Sequence, residues 1–234
     1  MAGRITRKEL KTDKFALEVG QTVDFVTGHR RQLARYGSIV AVVVAIAVGA
    51  YFYIRYQKTE RAQVLAQAIT IQEAPVGASN AGALFTFPTE DAKRAAATKA
   101  FSEIAVKYSG TTDAAVAKYY MGASAADEGK LADAEKLFKE AAEQGDKNYA
   151  SLARFSLAQV YFAEGRPADG EKILRDLMAH PTVFVSKDQA IIALARGIAP
   201  TRPDEARKML EPLRTQNGVV SQVAISAVGE LQAQ

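Results

Sequence analysis

Hydrophobic positions follow three different patterns along this chain. Between Arg35 and Arg55 lie nineteen residues without a charge, YGSIVAVVVAIAVGAYFYI. A helix of that length spans roughly 28 Å at about 1.5 Å per residue, close to the thickness of a bilayer's hydrocarbon core. Tyr36 stands at one end, and Tyr51, Phe52, Tyr53 and Tyr56 crowd the other, as interfacial aromatics do. A buried soluble helix would keep a polar stripe, and a cleaved signal peptide would have a far shorter leading region. The run therefore predicts a retained membrane helix over 36–54. Before it, Leu10, Phe15, Val19, Val23 and Val26 recur every three to five residues among charges, the pattern of a short amphipathic helix.

Beyond the run the pattern becomes that of soluble helices, apolar at three- and four-residue steps. Lys58–Gln72 reads as a helix, and Glu73–Thr89, rich in Gly, Ala and Pro, as a loop. The stretch from Gly129 to Ala141 then reappears 36 residues later, from Gly165 to Leu177, and again from Pro203 to Leu213. Three columns align: Ala134/Gly170/Ala206, Phe138/Leu174/Leu210 and Ala141/Leu177/Leu213, with a weaker earlier copy at Ala97, Phe101 and Ile104. Offsets of four and three place each triplet on one helix face. A small first residue admits a neighbouring backbone, and a large second one fills the gap. Each copy follows another apolar helical stretch, such as Ala115–Ala126 or Leu152–Ala163, across a short break at Glu128-Gly129-Lys130 or Glu164-Gly165-Arg166-Pro167. The unit is helix–turn–helix, and such units bury their faces only by stacking. Asn217–Gln234 reads as a terminal capping helix.

These units resemble tetratricopeptide repeats. Met121-Gly122 is similar to that family's Leu-Gly pair, Gly129 to its turn, and Ala134, Phe138 and Ala141 to its second helix. Tyr161 falls where the family has an aromatic, and Pro181 one position from its terminal proline. The tryptophan is missing, Ala158 replaces the glycine in the second unit, and the period is 36 rather than 34. The layout as a whole, with a basic tail, an anchor ending in Ala50-Tyr51-Phe52-Tyr53-Ile54-Arg55-Tyr56 and a short array, resembles the bacterial ancillary subunit of the Sec translocon. Phe101–Leu137 carries the likeness best. The expected fold is all-α: a basic cytoplasmic tail (1–35), a transmembrane anchor (36–54), a linker helix and loop (55–90), and a TPR-like superhelix with its cap (91–234).

Charge and composition sharpen this picture. The formal charge is +4. Residues 1–35 carry eight Lys/Arg and four acids, so the whole excess sits in the tail and the rest balances. A nucleic-acid-binding domain would carry its own basic face, so none is expected. The basic tail instead predicts a cytoplasmic N-terminus and a periplasmic repeat domain, in a single-pass protein of the inner membrane. There is no cysteine, which removes disulfides and thiolate chemistry. The two histidines, His29 and His180, would fall on opposite sides of the membrane in this topology. No His-Glu-x-x-His or Gly-x-Ser-x-Gly is present, and Gly77–Gly82 lacks the Lys-Ser/Thr of a phosphate loop. The acid pairs Asp127-Glu128 and Asp204-Glu205 sit at turns or helix starts, where capping explains them. Neither an enzyme nor a cofactor or metal site is expected.

Two surfaces are candidates for partners. Gly37, Ala41, Ala45 and Gly49 form a row of small residues along the anchor, open to a partner helix from the translocon or from a second copy of this chain. Tyr119, Phe155 and Ile191 occupy one repeat position, and Phe162 lies two turns beyond Phe155. They form either an apolar groove for a peptide segment or ordinary helix packing. The resemblance implies an interaction module that assists protein export or periplasmic folding at the Sec translocon, with chaperones or exported clients as partners. The alternative is a TPR scaffold for envelope assembly or cell division without translocon contact.

Overall fold

A computed structural model describes residues 30–77, 84–216 and 218–232. The amphipathic tail pattern, His29 and most of the Gly77–Gly82 stretch lie outside the described residues. Nine helices account for the regular structure among the described residues. They are α1 (Arg30–Gln72), α2 (Glu90–Lys107), α3 (Thr112–Asp127), α4 (Leu131–Gln144), α5 (Lys147–Ala163), α6 (Pro167–Ala179), α7 (Lys187–Ile198), α8 (Pro203–Arg214) and α9 (Val219–Gln232). The chain divides into two units, Met1–Lys58 and Thr59–Gln234.

The described part of the first unit is helical. From Ala34 to Tyr56 every side chain is exposed, including Ile39, Val40, Val43, Ile46 and Phe52. Water would be a poor solvent for such a surface, whereas lipid suits it. α1 is long and apolar enough to cross a membrane, with a mean hydropathy of 2.2 in its most apolar window.

The second unit is built from helix pairs. α3/α4, α5/α6 and α7/α8 are the three repeats, residues 59–72 of α1 and α2 make an earlier pair, and α9 closes the array. The turns at Gly129 and Gly165 repeat, with φ of +73° and +72°, a region closed to most side chains. Along the second helices the aligned columns are buried: Ala134, Phe138 and Ala141 on α4, Gly170, Leu174 and Leu177 on α6, Ala206, Leu210 and Leu213 on α8. Ala97, Phe101 and Ile104 on α2 are buried as well. The reason for a small first column is visible at Gly170, where a Cβ would stand 2.9 Å from the carbonyl oxygen of Ala158 on α5.

Ion pairs repeat with the same period as the core. Within a pair, Lys118 reaches Glu140 at 2.8 Å and Arg154 reaches Asp176 at 2.7 Å. Between pairs, Arg166 reaches Glu135 at 3.0 Å, and Arg202 reaches Glu171. Glu135 and Glu171 also hold Lys139 and Arg175, both at 2.6 Å. The bridging arginines occupy the N-cap positions of α6 and α8, which have no side-chain cap hydrogen bond. A cation there opposes the helix dipole. The acids Asp169 at 2.9 Å and Glu205 at 3.1 Å, one turn into the same helices, offset that cost. The first helices are capped conventionally, by Thr111, Asp146 and Ser186.

Two outcomes follow. Phe138→Ala should cost about 3–5 kcal/mol out of a total stability of about 5–15 kcal/mol. A thermal or urea melt of the array should therefore shift sharply; an unchanged melt would mean that the columns are misaligned. The second concerns pH. Lys139 hydrogen-bonds Glu135, Arg202 hydrogen-bonds Glu171 and Arg154 hydrogen-bonds Asp176, and each carboxylate is held below its ordinary value. Lowered folded pKa values stabilise the fold above the ordinary glutamate value of 4.5. That contribution is lost as pH falls through the folded values. The melting midpoint should drop on acidification below that value, and with Glu135→Gln, Glu171→Gln and Asp176→Asn combined it should depend less on pH.

Candidate functional site

The first helices of the repeats, α3, α5 and α7, contact one another directly in sequence order. Their shared face holds two clefts. One, of about 440 Å³, lies among α5, α7 and α9 and is lined by Phe155, Gln159, Phe162, Ile192, Ala193, Gly197 and Val223, with Gln189 and Arg196 alongside. The other, of about 370 Å³, lies between α3 and α5. It is lined by Ala123, Ala126, Asp127, Ser156, Gln159, Val160 and Ala163, with Leu131 and Phe138 from α4. Gln159, an exposed residue, borders both, and the two clefts together are the candidate groove.

Of the four candidate groove residues, Tyr119, Phe155, Phe162 and Ile191, the structure brings Phe155 and Phe162 into one cleft. Tyr119 is elsewhere. Its ring packs on Tyr120 at 5.6 Å and on Phe138 at 5.7 Å, filling space between α3 and α4. The α3 face of the groove is made by Ala123 and Ala126 instead. Ile191 packs against the surrounding core, and its neighbour Ile192 lines the cleft. The phase of α7 differs because it starts later within the repeat. α5 begins directly after a short turn at Gly145-Asp146, whereas α7 starts only at Lys187, after a longer segment pinned by Thr182. The Thr182 hydroxyl sits 2.6 Å from that of Ser151 and accepts the Val185 N–H at 3.1 Å.

Phe162 owes its position to two glycines. A Cβ at Gly197 would stand 2.4 Å from its ring, and one at Gly170 would stand 2.9 Å from it. The ring thus lies against bare backbone on α6 and α7. Gly197 carries the one signal that would have marked it in the sequence, a glycine inside an apolar helical stretch, which points to close approach. Val223 on α9 has no repeat partner to betray it.

The groove is almost free of charge. Arg196 turns its guanidinium to Glu230 on α9, with hydrogen bonds of 3.0 and 3.1 Å. Asp127 lines the second cleft. His180, at the C-cap of α6, is exposed and pairs with Asp176 at 3.2 Å, away from the groove lining. Among the described residues no group of His, Asp and Glu is placed to hold a metal ion. On α1, Gly37, Ala41, Ala45 and Gly49 are all exposed, and a Cβ at Gly37 or Gly49 would meet nothing within 4 Å.

The seat of Phe162 is testable. An alanine in an open helix is favoured over glycine by about 1 kcal/mol. At position 197 the added methyl must displace the ring, and overpacking costs about 1–3 kcal/mol. Gly197→Ala is expected to lower the melting midpoint in the native chain and to raise it when Phe162 is already Ala. A midpoint raised in both backgrounds would show that the ring does not need that glycine.

Comparison with known proteins agrees with this geometry. No curated protein and no solved structure matches the chain. A family model described as a tetratricopeptide repeat-like domain matches residues 30–189, from the start of α1 to the first turn of α7. The chain belongs to the tetratricopeptide repeat-like domain family.

Proposed function

We propose that this protein is a membrane-tethered adaptor that assists protein export at the Sec translocon. In this reading the basic tail stays in the cytoplasm. The anchor packs its small-residue row against a translocon helix, and the repeat domain lies on the periplasmic side. There its groove receives segments of exported chains or of the chaperones that take them over. One observation carries the reading: a candidate membrane span and an interaction array with an open, nearly uncharged groove belong to one chain. The likeness of the basic tail, the aromatic-flanked anchor and the short array to the ancillary translocon subunit names the partner. The charge asymmetry across the anchor supports the orientation.

The row Gly37, Ala41, Ala45 and Gly49 drifts by only about 40° per four-residue step, so it stays on one side of the helix. A partner helix packed there gains van der Waals contact that lipid chains match poorly. Protease added to spheroplasts should degrade residues 55–234 and spare the tail; a protected repeat domain would reverse the topology. In mild detergent, Ala45→Leu with Gly49→Leu should reduce co-purification of the translocon, while Val43→Leu with Val48→Leu should not. Equal recovery with both pairs would remove the anchor from recognition. Recovery of envelope-assembly or division proteins without the translocon would favour a scaffold instead.

A further inference from the structure

We infer that one edge of the repeat array lies on the lipid surface around the anchor, with Val183 and Phe184 seated at the boundary between headgroups and acyl chains. This rests on the membrane-tethered part of the proposed function and is independent of the translocon.

Helices joined by short turns alternate in direction, so the connections of the array fall on two edges. One edge holds the turns inside each pair, at 127–133, 163–169 and 199–205. The other holds the junctions between pairs, at 107–113, 143–149 and 180–188, and Val219 at the start of α9. Side-chain contacts join the junctions into one surface. Lys118 donates to Gln144 at 3.0 Å, the Ser151 and Thr182 hydroxyls are 2.6 Å apart, and the rings of Tyr149 and Phe184 meet at 5.0 Å.

The two edges expose different chemistry. Among the described residues no large apolar side chain is exposed in the three turns, whereas at the junctions Val183 is 86% exposed, Val219 74% and Phe184 39%. Val183 and Phe184 form the tip of a tight turn. The Thr182 N–H donates to the Val185 carbonyl at 2.9 Å, and the Val185 N–H donates to the Thr182 hydroxyl at 3.1 Å. Turn tips ordinarily carry Gly, Asn, Asp or Ser. Two large apolar residues there do nothing for the turn, and they suit the interfacial layer of a bilayer.

Charge separates the edges as well. The three turns hold seven acids against three cations, and each cation is engaged, Lys130 by Glu128, Arg166 by Glu135 and Arg202 by Glu171. Anionic headgroups would repel that edge. On the junction edge Lys147 and Lys187 are the first residues of α5 and α7, where a cation opposes the helix dipole. Both are exposed, and among the described residues neither pairs with an acid. A phosphate headgroup supplies the missing partner.

The chain itself brings lipid within reach of this edge. Glu60 accepts hydrogen bonds of 3.1 Å from Lys107 and from Tyr108, and Arg61 stands 3.6 Å from Asp113. The α2–α3 junction is therefore held to residues 60 and 61. Ile54 ends the uncharged run six residues earlier, a reach of at most about 22 Å even when fully extended. The turn edge stands a helix length away from the junctions, about 21 Å for the fourteen residues of α4. Leu84 and Phe85 are exposed too, in the loop that precedes α2, and they are the competing surface.

The chain has no tryptophan, so a single one reports its own surroundings. The full chain is placed in vesicles of phosphatidylcholine and phosphatidylglycerol, with lipids brominated near the headgroup as quenchers and no translocon present. Val183→Trp should be quenched roughly threefold more than Ala168→Trp on the turn edge or Leu84→Trp in the loop. Val183→Ser with Phe184→Ser should abolish the quenching of a reporter at Val219→Trp without moving the melting midpoint. Lys147→Gln with Lys187→Gln should weaken quenching of Val183→Trp in these vesicles but not in phosphatidylcholine alone, and should not lower the midpoint. A chain that carbonate extracts from the vesicles would overturn the membrane reading and this inference together. A chain that resists extraction, with Val183→Trp quenched no more than Ala168→Trp or less than Leu84→Trp, would overturn this inference alone.

Discussion

Every helix pair in this array depends on a neighbour coming close enough to cover it, and that approach is permitted at Ala134, Gly170 and Ala206. A side chain larger than methyl at these positions would hold the facing helix away. Phe138, Leu174 and Leu210 would then be left in a gap rather than a core. At Gly170 even a methyl is too much, since the carbonyl of Ala158 stands 2.9 Å from where a Cβ would be. Close approach of the backbones is thus the condition for burying the large residues, and burying them is the main source of stability for a stack whose units cannot fold alone.

The periodic ion pairs serve a different purpose. Individually each is a surface or half-buried pair of small net value. Their arrangement is what matters. Arg166 and Arg202 start α6 and α8, give up the side-chain cap, and reach back to Glu135 and Glu171 on the preceding second helix. Each therefore links its own helix start to the repeat before it, which sets the register of one pair on the next. The pattern stops at both ends. On α2, Thr98 and Ser102 stand at the core-aligned positions of Glu135 and Lys139, and on α8 Arg207 stands at that of Glu171.

The second helices carry more of the charge, and the charges within the first helices include Lys118 and Arg154, which are turned to Glu140 and Asp176. The candidate groove combines an apolar lining, the exposed Gln159 and Gln189, and an Arg196 paired with Glu230. α9 contributes twice, with Val223 in the cleft wall and Glu230 on the arginine. The helix that closes the array thus also shapes the candidate groove.

The sequence by itself determined the elements. Nineteen uncharged residues, the helical period and the 36-residue repeat are local or one-dimensional signals, and the apolar span, the repeat helices and the buried columns follow from them; that the span and the helix read separately over 58–72 are one continuous α1 came only with the structure. The alternation of Glu135/Glu171 with Arg166/Arg202 was equally present in the chain, but nothing local shows which charges meet across repeats. The groove was legible only in part. Phe155 and Phe162 share one helix face, so their pairing needed no tertiary information. Tyr119 and Ile191 were assigned by assuming that equal spacing means equal environment. That fails where the segment before α7 delays the helix and turns another edge to the groove, and where Phe138 draws Tyr119 into packing between α3 and α4. Gln159, Gly197, Val223 and the Arg196–Glu230 pair came into view only with the fold. Their roles arise from distances between helices, and those distances are decided by packing among residues far apart in the chain.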